Sequence, residues 1–542
     1  MAGQGDSDQD VVARDDAHLR SLGIKPELKR SLGFVANFAL AFSFISVSTG
    51  SFGNFGYGLG LGGPMMFWTW FVVIAGQLLV ALVFAELASH YPVAGSIYQW
   101  SKRLSHRTLG WFTGWFYFWA QVLTVTAVAV IVAFVVDGIV ATEGFLDSTS
   151  PIPGLTMFTF IALTTLVITT AINAFGVRLV AVLNNIGVAT EILGMVVFAL
   201  VLLIFANNQP IDVVTKTYGA EIPNNGNMLA TFMLGFFMSI FIVYGFDTAG
   251  TFGEETIDAS RQAPRGVLSS ILISGLVGVV FILAIILSLK DIPAAMADGL
   301  GGGFPIATTI TENLNQTLFG ELTFGDLYLY VILASVFVCT LAIHGAASRM
   351  MFSMARDRHL PLGRVFGHVN GTFRTPANAV VAVGVLAAVP ILLVGPIGGF
   401  TLSIAATGLI YLSYFLCNLG VAFARRKGWP HKKAWFNLGR WGMPINILAL
   451  LYGFVMIVNI GLWNSPELFG DFGAEGRGYW NPLITGLFEI NGQKLEGLPA
   501  WPMYETIIGV LLVIGGLYYL VAIRGQAPDI EADVATGEAL IG

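Results

Sequence analysis

Long apolar runs recur along this chain almost without a break. A helix needs about 20 mainly apolar residues to cross the hydrocarbon core of a bilayer. Twelve such runs occur, over 33–61, 64–89, 109–140, 155–174, 177–206, 228–253, 267–289, 327–354, 377–394, 400–424, 444–462 and 504–521. Membrane β-strands are shorter and alternate in polarity, and these runs do neither. The pattern predicts an all-α polytopic membrane protein with twelve transmembrane helices. Composition agrees, because only 11% of the 542 residues are charged, against about 25% in a soluble domain. So few charges cannot clothe a water-soluble body of this size. An ordinary soluble enzyme, a disordered chain and a nucleic-acid binder are excluded on that ground. Two cysteines exclude a disulfide scaffold.

The basic residues predict which side each loop occupies. With the N-terminus placed in the cytoplasm, 23 of the 27 Lys and Arg residues fall on the cytoplasmic side. Only Lys216, Lys290, Arg477 and Lys494 fall outside. Such segregation is the positive-inside bias, and an incorrect span count would scramble it. Both termini are therefore expected in the cytoplasm. Residues 1–32 form the N-terminal tail, with a surface helix expected over 11–30, and 524–542 form the C-terminal tail. No apolar h-region of a cleavable signal precedes the first span. Short tails suit a plasma membrane, above all a bacterial inner membrane, with a eukaryotic plasma membrane as the alternative. The segment 464–502 is expected to be an ordered outer cap.

Two spans are interrupted by small polar residues at mid-depth. Span 1 contains Ser46-Val47-Ser48-Thr49-Gly50-Ser51-Phe52-Gly53-Asn54, and span 6 contains Tyr244-Gly245-Phe246-Asp247-Thr248-Ala249-Gly250-Thr251-Phe252-Gly253-Glu254. Gly50-Ser51-Phe52-Gly53-Asn54 matches Gly250-Thr251-Phe252-Gly253-Glu254 at an offset of 200 residues. Spans 1 and 6 head two halves of five spans, 33–206 and 228–424, joined by an outer loop over 207–227. Five is odd, so the second half enters the membrane in the opposite sense, the pattern of an inverted repeat with discontinuous first helices. Unwound backbone at that depth is tolerated only where it lines a cavity. Its freed N–H groups attract an anion and its freed carbonyls a cation. An α-amino acid carries both charges.

Four stretches resemble the amino acid–polyamine–organocation transporter superfamily, and within it the amino acid/choline branch that includes GABA permeases. They are the interrupted span 1 over 43–53, Ala85-Glu86-Leu87-Ala88-Ser89 running on to Tyr98, the 244–255 run, and Ser348-Arg349 through Ala355-Arg356-Asp357 to Pro361. Ser96 stands where that branch repeats a glycine. The resemblance covers about 30–525. It implies a leucine-transporter-type fold, with broken helices 1 and 6 in a 5+5 repeat and two peripheral helices over 425–523. It also implies alternating-access transport, not enzymatic catalysis, of a small amino acid or amine, with the lipid bilayer as surroundings and no nucleic acid. The oligomeric state stays open.

The resemblance implies a substrate site between spans 1, 3, 6, 8 and 10. Backbone at Ser48, Thr49 and Gly50 is expected to hold a carboxylate, with hydroxyls from Ser46 and Ser51. Backbone at Tyr244, Gly245 and Phe246 faces the amine, with Phe246 as an occluding ring. Asp247 either pairs with the ammonium or caps the broken helix. Gln121 and Tyr411 supply further polar tips. Glu191 in span 5 stands where many proton-coupled relatives carry a Lys, and is expected to couple transport to an ion, with Ser335 and Thr340 of span 8 nearby. The coupling ion reads as a proton, with sodium as the alternative. Beyond it no cofactor, metal site or catalytic residue is expected. Glu254, Glu255 and Arg349 are candidates for a cytoplasmic gate, against the alternative of solvated loop charge. The function expected is import of an amino acid or γ-amino acid. The alternatives are a transporter of carboxylate-free amines such as choline, ethanolamine or a polyamine, an exchanger, or a channel.

Overall fold

The computed structural model describes residues 8–462, apart from 225 and 321, and 503–526. Each of the twelve apolar runs falls on a helix. Among the described residues, nine helices are long and apolar enough to cross a membrane. Three shorter ones, Met228–Ile242, Ala377–Leu393 and Ile507–Ile523, take up the remaining runs. The expected cap over 464–502 and most of the C-terminal tail lie outside the described residues.

Boundaries differ where polarity misleads a hydropathy reading. Span 7 begins at Ala259, well before residue 267, because its first turns carry Arg261, Gln262 and Arg265. Spans 9 and 10 belong to one helical element, Ala377–Arg426. Thr375 just before it bonds the Ala174 carbonyl, and Arg425 at its end pairs with Glu86. Both contacts lie at the basic end of the bundle, so the chain doubles back within this element. The N-terminal surface helix spans Asp8–Ser21 instead of reaching residue 30. Gly23, at φ 76°, takes the left-handed conformation that ends it, and Pro26 follows. Short helices that were not anticipated include Ser96–Leu104 between spans 2 and 3, and Ile292–Leu300 and Pro305–Asn313 between spans 7 and 8. A two-stranded hairpin, Thr317–Phe319 with Leu322–Thr323, precedes span 8.

Span 3, Arg107–Val140, is the central post and packs chiefly on spans 8, 9 and 10. Span 1 lies against spans 5, 6, 7 and 8. It consists of Phe34–Ile45 and Val47–Gly62, separated by Ser46 alone. Span 6 consists of Met228–Ile242, an unwound stretch, the single turn Thr248–Thr251 and the 3-10 turn Gly253–Glu255. The two breaks face each other. A Cβ at Gly50 would stand 2.5 Å from Ile242, and one at Gly245 would stand 2.0 Å from Phe44. Glycine at both places lets the two backbones approach this closely. Gly245 also sits at φ 89°, which a side chain would strain.

Candidate functional site

Ser46 makes the break in span 1. Its φ of 31° and ψ of 85° stop one helix, and its side chain starts the next by accepting from the Thr49 N–H at 3.4 Å. The Gly50 N–H donates to the Ser46 carbonyl at 3.0 Å. Glu191 of span 5 reaches into the same place. Its Oε1 accepts from the Ser48 N–H at 3.2 Å, the Ser48 hydroxyl at 2.7 Å and the Ser46 hydroxyl at 2.9 Å. Its Oε2 has no hydrogen-bond partner. Ser46, Ser48, Ser51 and Glu191 are all fully buried. The charge of Glu191 is felt by Cys339 and Tyr328 of span 8, and neither is a cation. The helix end expected to be open for a carboxylate therefore already holds one.

Asp247 is treated differently. Oδ1 accepts from Tyr414 at 2.6 Å and from Tyr117 at 2.7 Å. Oδ2 accepts from Ser96 at 2.9 Å and lies 2.8 Å from the Tyr117 hydroxyl. These donors come from span 10, span 3 and the short helix Ser96–Leu104. The Tyr414 oxygen also accepts from the Gly245 N–H at 2.8 Å, so one tyrosine supports both the unwound backbone and its carboxylate. Span polarity gave no sign of Tyr414. It lies one turn from Tyr411, and periodicity alone does not say which of the two faces the break.

The other expected residues divide into paired and unpaired. Tyr411 meets Tyr452 of span 11, oxygen to oxygen at 3.2 Å. Ser335 and Thr340 donate to carbonyls one turn back in their own helix. The Phe246 ring packs between Phe84 and Tyr414, with centroids at 6.0 and 5.4 Å. By contrast the Tyr244 hydroxyl, the Ser51 hydroxyl and both amide atoms of Gln121 are buried without partners. Buried polar atoms are normally satisfied, and orphans mark places where water or a ligand belongs.

Below the span 6 break the end of the bundle that carries most of the basic residues is locked by buried ion pairs. Arg349 grips Glu255 through two 2.9 Å bonds, and both side chains are fully buried. Its guanidinium also lies 4.5 Å from the Phe252 ring centre. Arg356 forks onto Glu254, which accepts in turn from the Ala94 N–H. The expected gate residues therefore meet, and they are not solvated loop charges. Arg349 lies two turns inside the span 8 helix. Around this lock stands a set to which motif reading gave no role. Asp357 accepts from Lys102 at 2.7 Å, Tyr98 at 2.8 Å and Gln99 at 2.9 Å. Burial pushes its carboxyl up, but Lys102 and Arg356 outweigh that and hold it at about 2. From the N-terminal side, buried Arg30 donates to the Thr256 and Gly253 carbonyls at 2.8 and 3.2 Å. The two stretches that carry the superfamily resemblance at 85–98 and 348–361 thus touch at this lock.

Comparison with known proteins agrees with this architecture. A family model described as amino acid permease matches residues 32–467. The amino-acid permease BAT1 of Arabidopsis thaliana is 30% identical over 504 residues, covering 89% of this chain and 94% of that protein. A BAT1 homolog of Oryza sativa is 32% identical over 452 residues, 80% of this chain and 85% of its own. The thiamine transporter thi9 of Schizosaccharomyces pombe is 25% identical over 500 residues, 84% and 83% respectively. Permease-named relatives of this length indicate a transporter of amino acids or amines and not an enzyme. The chain belongs to the amino acid permease family of the amino acid–polyamine–organocation superfamily, as a multi-pass membrane protein.

Proposed function

We propose that the protein is a secondary active transporter that moves an amino acid or γ-amino acid across a plasma membrane by alternating access, driven by protons. The observation that carries this reading is the pair of facing helix breaks, lined by unpaired polar atoms at Ser51, Tyr244 and Gln121. Helix ends and unwound backbone of this kind suit a small zwitterion. Aromatic rings at Phe44, Tyr244 and Phe246 give an ammonium group faces to lie against. Glu191 is the coupling group, because it is a buried carboxylate with one unpaired oxygen and no cationic partner among the described residues. Buried carboxylates at membrane mid-depth belong to ion and proton pathways. The Arg349–Glu255 and Arg356–Glu254 pairs close the cytoplasmic end and open as the substrate is released.

A second reading has its own observation. Glu191 already supplies an anion at the span 1 helix end, so a carboxylate-free amine would find its countercharge in place. The likeness to a thiamine transporter points the same way. Uptake by purified protein in liposomes, against alanine, γ-aminobutyrate, choline and thiamine with and without a pH gradient, separates the two. The amino-acid reading predicts saturable accumulation of alanine or γ-aminobutyrate that collapses without the gradient. It is contradicted if choline or thiamine competes as well as any amino acid.

A further inference from the structure

We infer that Glu191 and the substrate carboxylate compete for one set of donors, so that an amino acid binds only after Glu191 has taken up a proton. This rests on the amino-acid reading above and adds the origin of its coupling. The donors are the Ser48 N–H, the Ser48 hydroxyl and the Ser46 hydroxyl, all of which converge on Glu191 Oε1. They stand at the N-terminus of the sixteen-residue helix Val47–Gly62, where the positive end of the helix dipole favours an anion.

A helix end alone would carry no such argument. The further observation is that Glu191, a buried carboxyl brought to the same helix end from a different helix, leaves its Oε2 buried and unpartnered. The residues around Glu191 supply no countercharge. Spans 1 and 5 contribute serines and apolar side chains, and span 8 contributes Cys339 and Tyr328. No Lys, Arg or His forms a bond or ion pair with Glu191 among the described residues. An ionised Glu191 therefore uses these donors at full strength, because hydrogen bonds to a charged acceptor are about twice as strong as neutral ones. A second carboxylate brought to the same helix end then meets an uncompensated like charge in a medium that screens poorly.

Protonation at Oε2 removes both obstacles. The carboxyl becomes neutral, its hold on the serine donors weakens to that of an ordinary acceptor, and the helix end can take the substrate's anionic oxygens. The bare Oε2 is the atom with room for that proton. No covalent bond beyond the O–H forms or breaks. One proton enters from the outer solution with each carboxylate and leaves to the cytoplasm when the substrate goes. A substrate without a carboxylate has no need of the exchange and gains nothing from protonation of Glu191.

The test uses the full-length protein, purified, with alanine, γ-aminobutyrate and choline as probes. Equilibrium binding is measured from mildly acidic to mildly alkaline pH for the parent and for Glu191→Gln, whose side chain mimics the protonated carboxyl. For the parent, the affinity for the preferred amino acid falls about tenfold per pH unit once Glu191 is ionised, as linkage of one proton to one ligand requires. In E191Q the affinity is flat and stays at the parent's acidic value, and choline shows no such fall in either protein. The inference is overturned if the parent's affinity is independent of pH, if E191Q keeps the slope, or if E191Q binds the amino acid more weakly at every pH. That last result would make Glu191 a ligand for the ammonium. A second measurement uses the parent alone, so misfolding of E191Q would not remove the test. Adding amino acid to the weakly buffered protein at alkaline pH draws about one proton from solution per molecule bound, and no proton uptake refutes the competition. Absence of saturable binding by all three probes at every pH would instead overturn the transport reading, and this inference with it.

Discussion

The breaks in spans 1 and 6 look alike in sequence and differ in what they do with a carboxylate. Span 1 breaks at the single residue Ser46, and the carboxylate there, Glu191, comes from another span and leaves one oxygen bare. Span 6 unwinds between Ile242 and Thr248, and its carboxylate, Asp247, is its own and has three hydroxyl donors from three different elements. Each Asp247 donor ties the break to a neighbouring helix, so this group fixes the geometry of the unwound backbone. Glu191 is held through one oxygen only and can change its protonation without dismantling its surroundings. A satisfied carboxylate reads as framework, and one with a bare oxygen reads as a working part.

The comparison is sharpest at the ion-pair lock beneath span 6. Arg349→Met leaves Glu255 buried and uncompensated, and breaking such a pair costs about 3–5 kcal/mol. A large fall in the thermal unfolding midpoint of the purified protein is expected. A midpoint within a degree or so of the parent's would mean that the span 6 side of the molecule is not the framework.

Next in size is the direct contrast between the two carboxylates. Asp247→Ala strands the hydroxyls of Tyr117 and Tyr414, which then lack their acceptor, while Ser96 keeps the Thr251 hydroxyl at 2.7 Å. Every buried group left unsatisfied costs about 1–3 kcal/mol. Glu191→Ala strands the Ser48 hydroxyl, while Ser46 keeps Thr49 at 2.6 Å, and it removes a bare buried oxygen at the same time. Thermal unfolding should therefore show a clear loss for D247A and a smaller one for E191A. Equal losses would erase the distinction between framework and working part.

The smallest effect is an acid one, at the rim of the lock. Asp357 is held at about 2, below its ordinary 3.8. A carboxyl depressed on folding stabilises the protein fully above its unfolded value. That contribution is lost as pH falls through the folded value. Stability measured from about pH 5 downward should thus include a component that disappears between those two values. Asp357→Asn should lack it. An unchanged acid profile in D357N would place the depression elsewhere.

Much of this architecture is legible in the residues because bilayer crossing imposes length and apolarity on each span separately. The span 1 and span 6 breaks were legible too, since glycine and small polar residues at mid-depth have few other uses and the two motifs match at a fixed offset. Partnerships were not legible. That Tyr414 and Ser96 would close on Asp247, or that Tyr98 and Lys102 would meet Asp357, depends on which faces turn together across more than a hundred residues. Glu191 stood out as a deep charge, yet its seat on the Ser48 amide did not. That contact joins residues 143 apart in sequence, and no local pattern records it. The N-terminal helix was overextended for a local reason, because charge patterning continues past Ser21 while Gly23 and Pro26 end the helix.

The claim that Glu191 is the working carboxylate is tested most directly by proton flux. Liposomes holding the parent or E191Q are loaded with a pH-sensitive dye, and the preferred amino acid is added outside without any imposed gradient. The parent should acidify the lumen as substrate enters. E191Q should exchange labelled for unlabelled amino acid with no change in dye signal. Substrate-driven acidification by E191Q equal to the parent's would contradict the account.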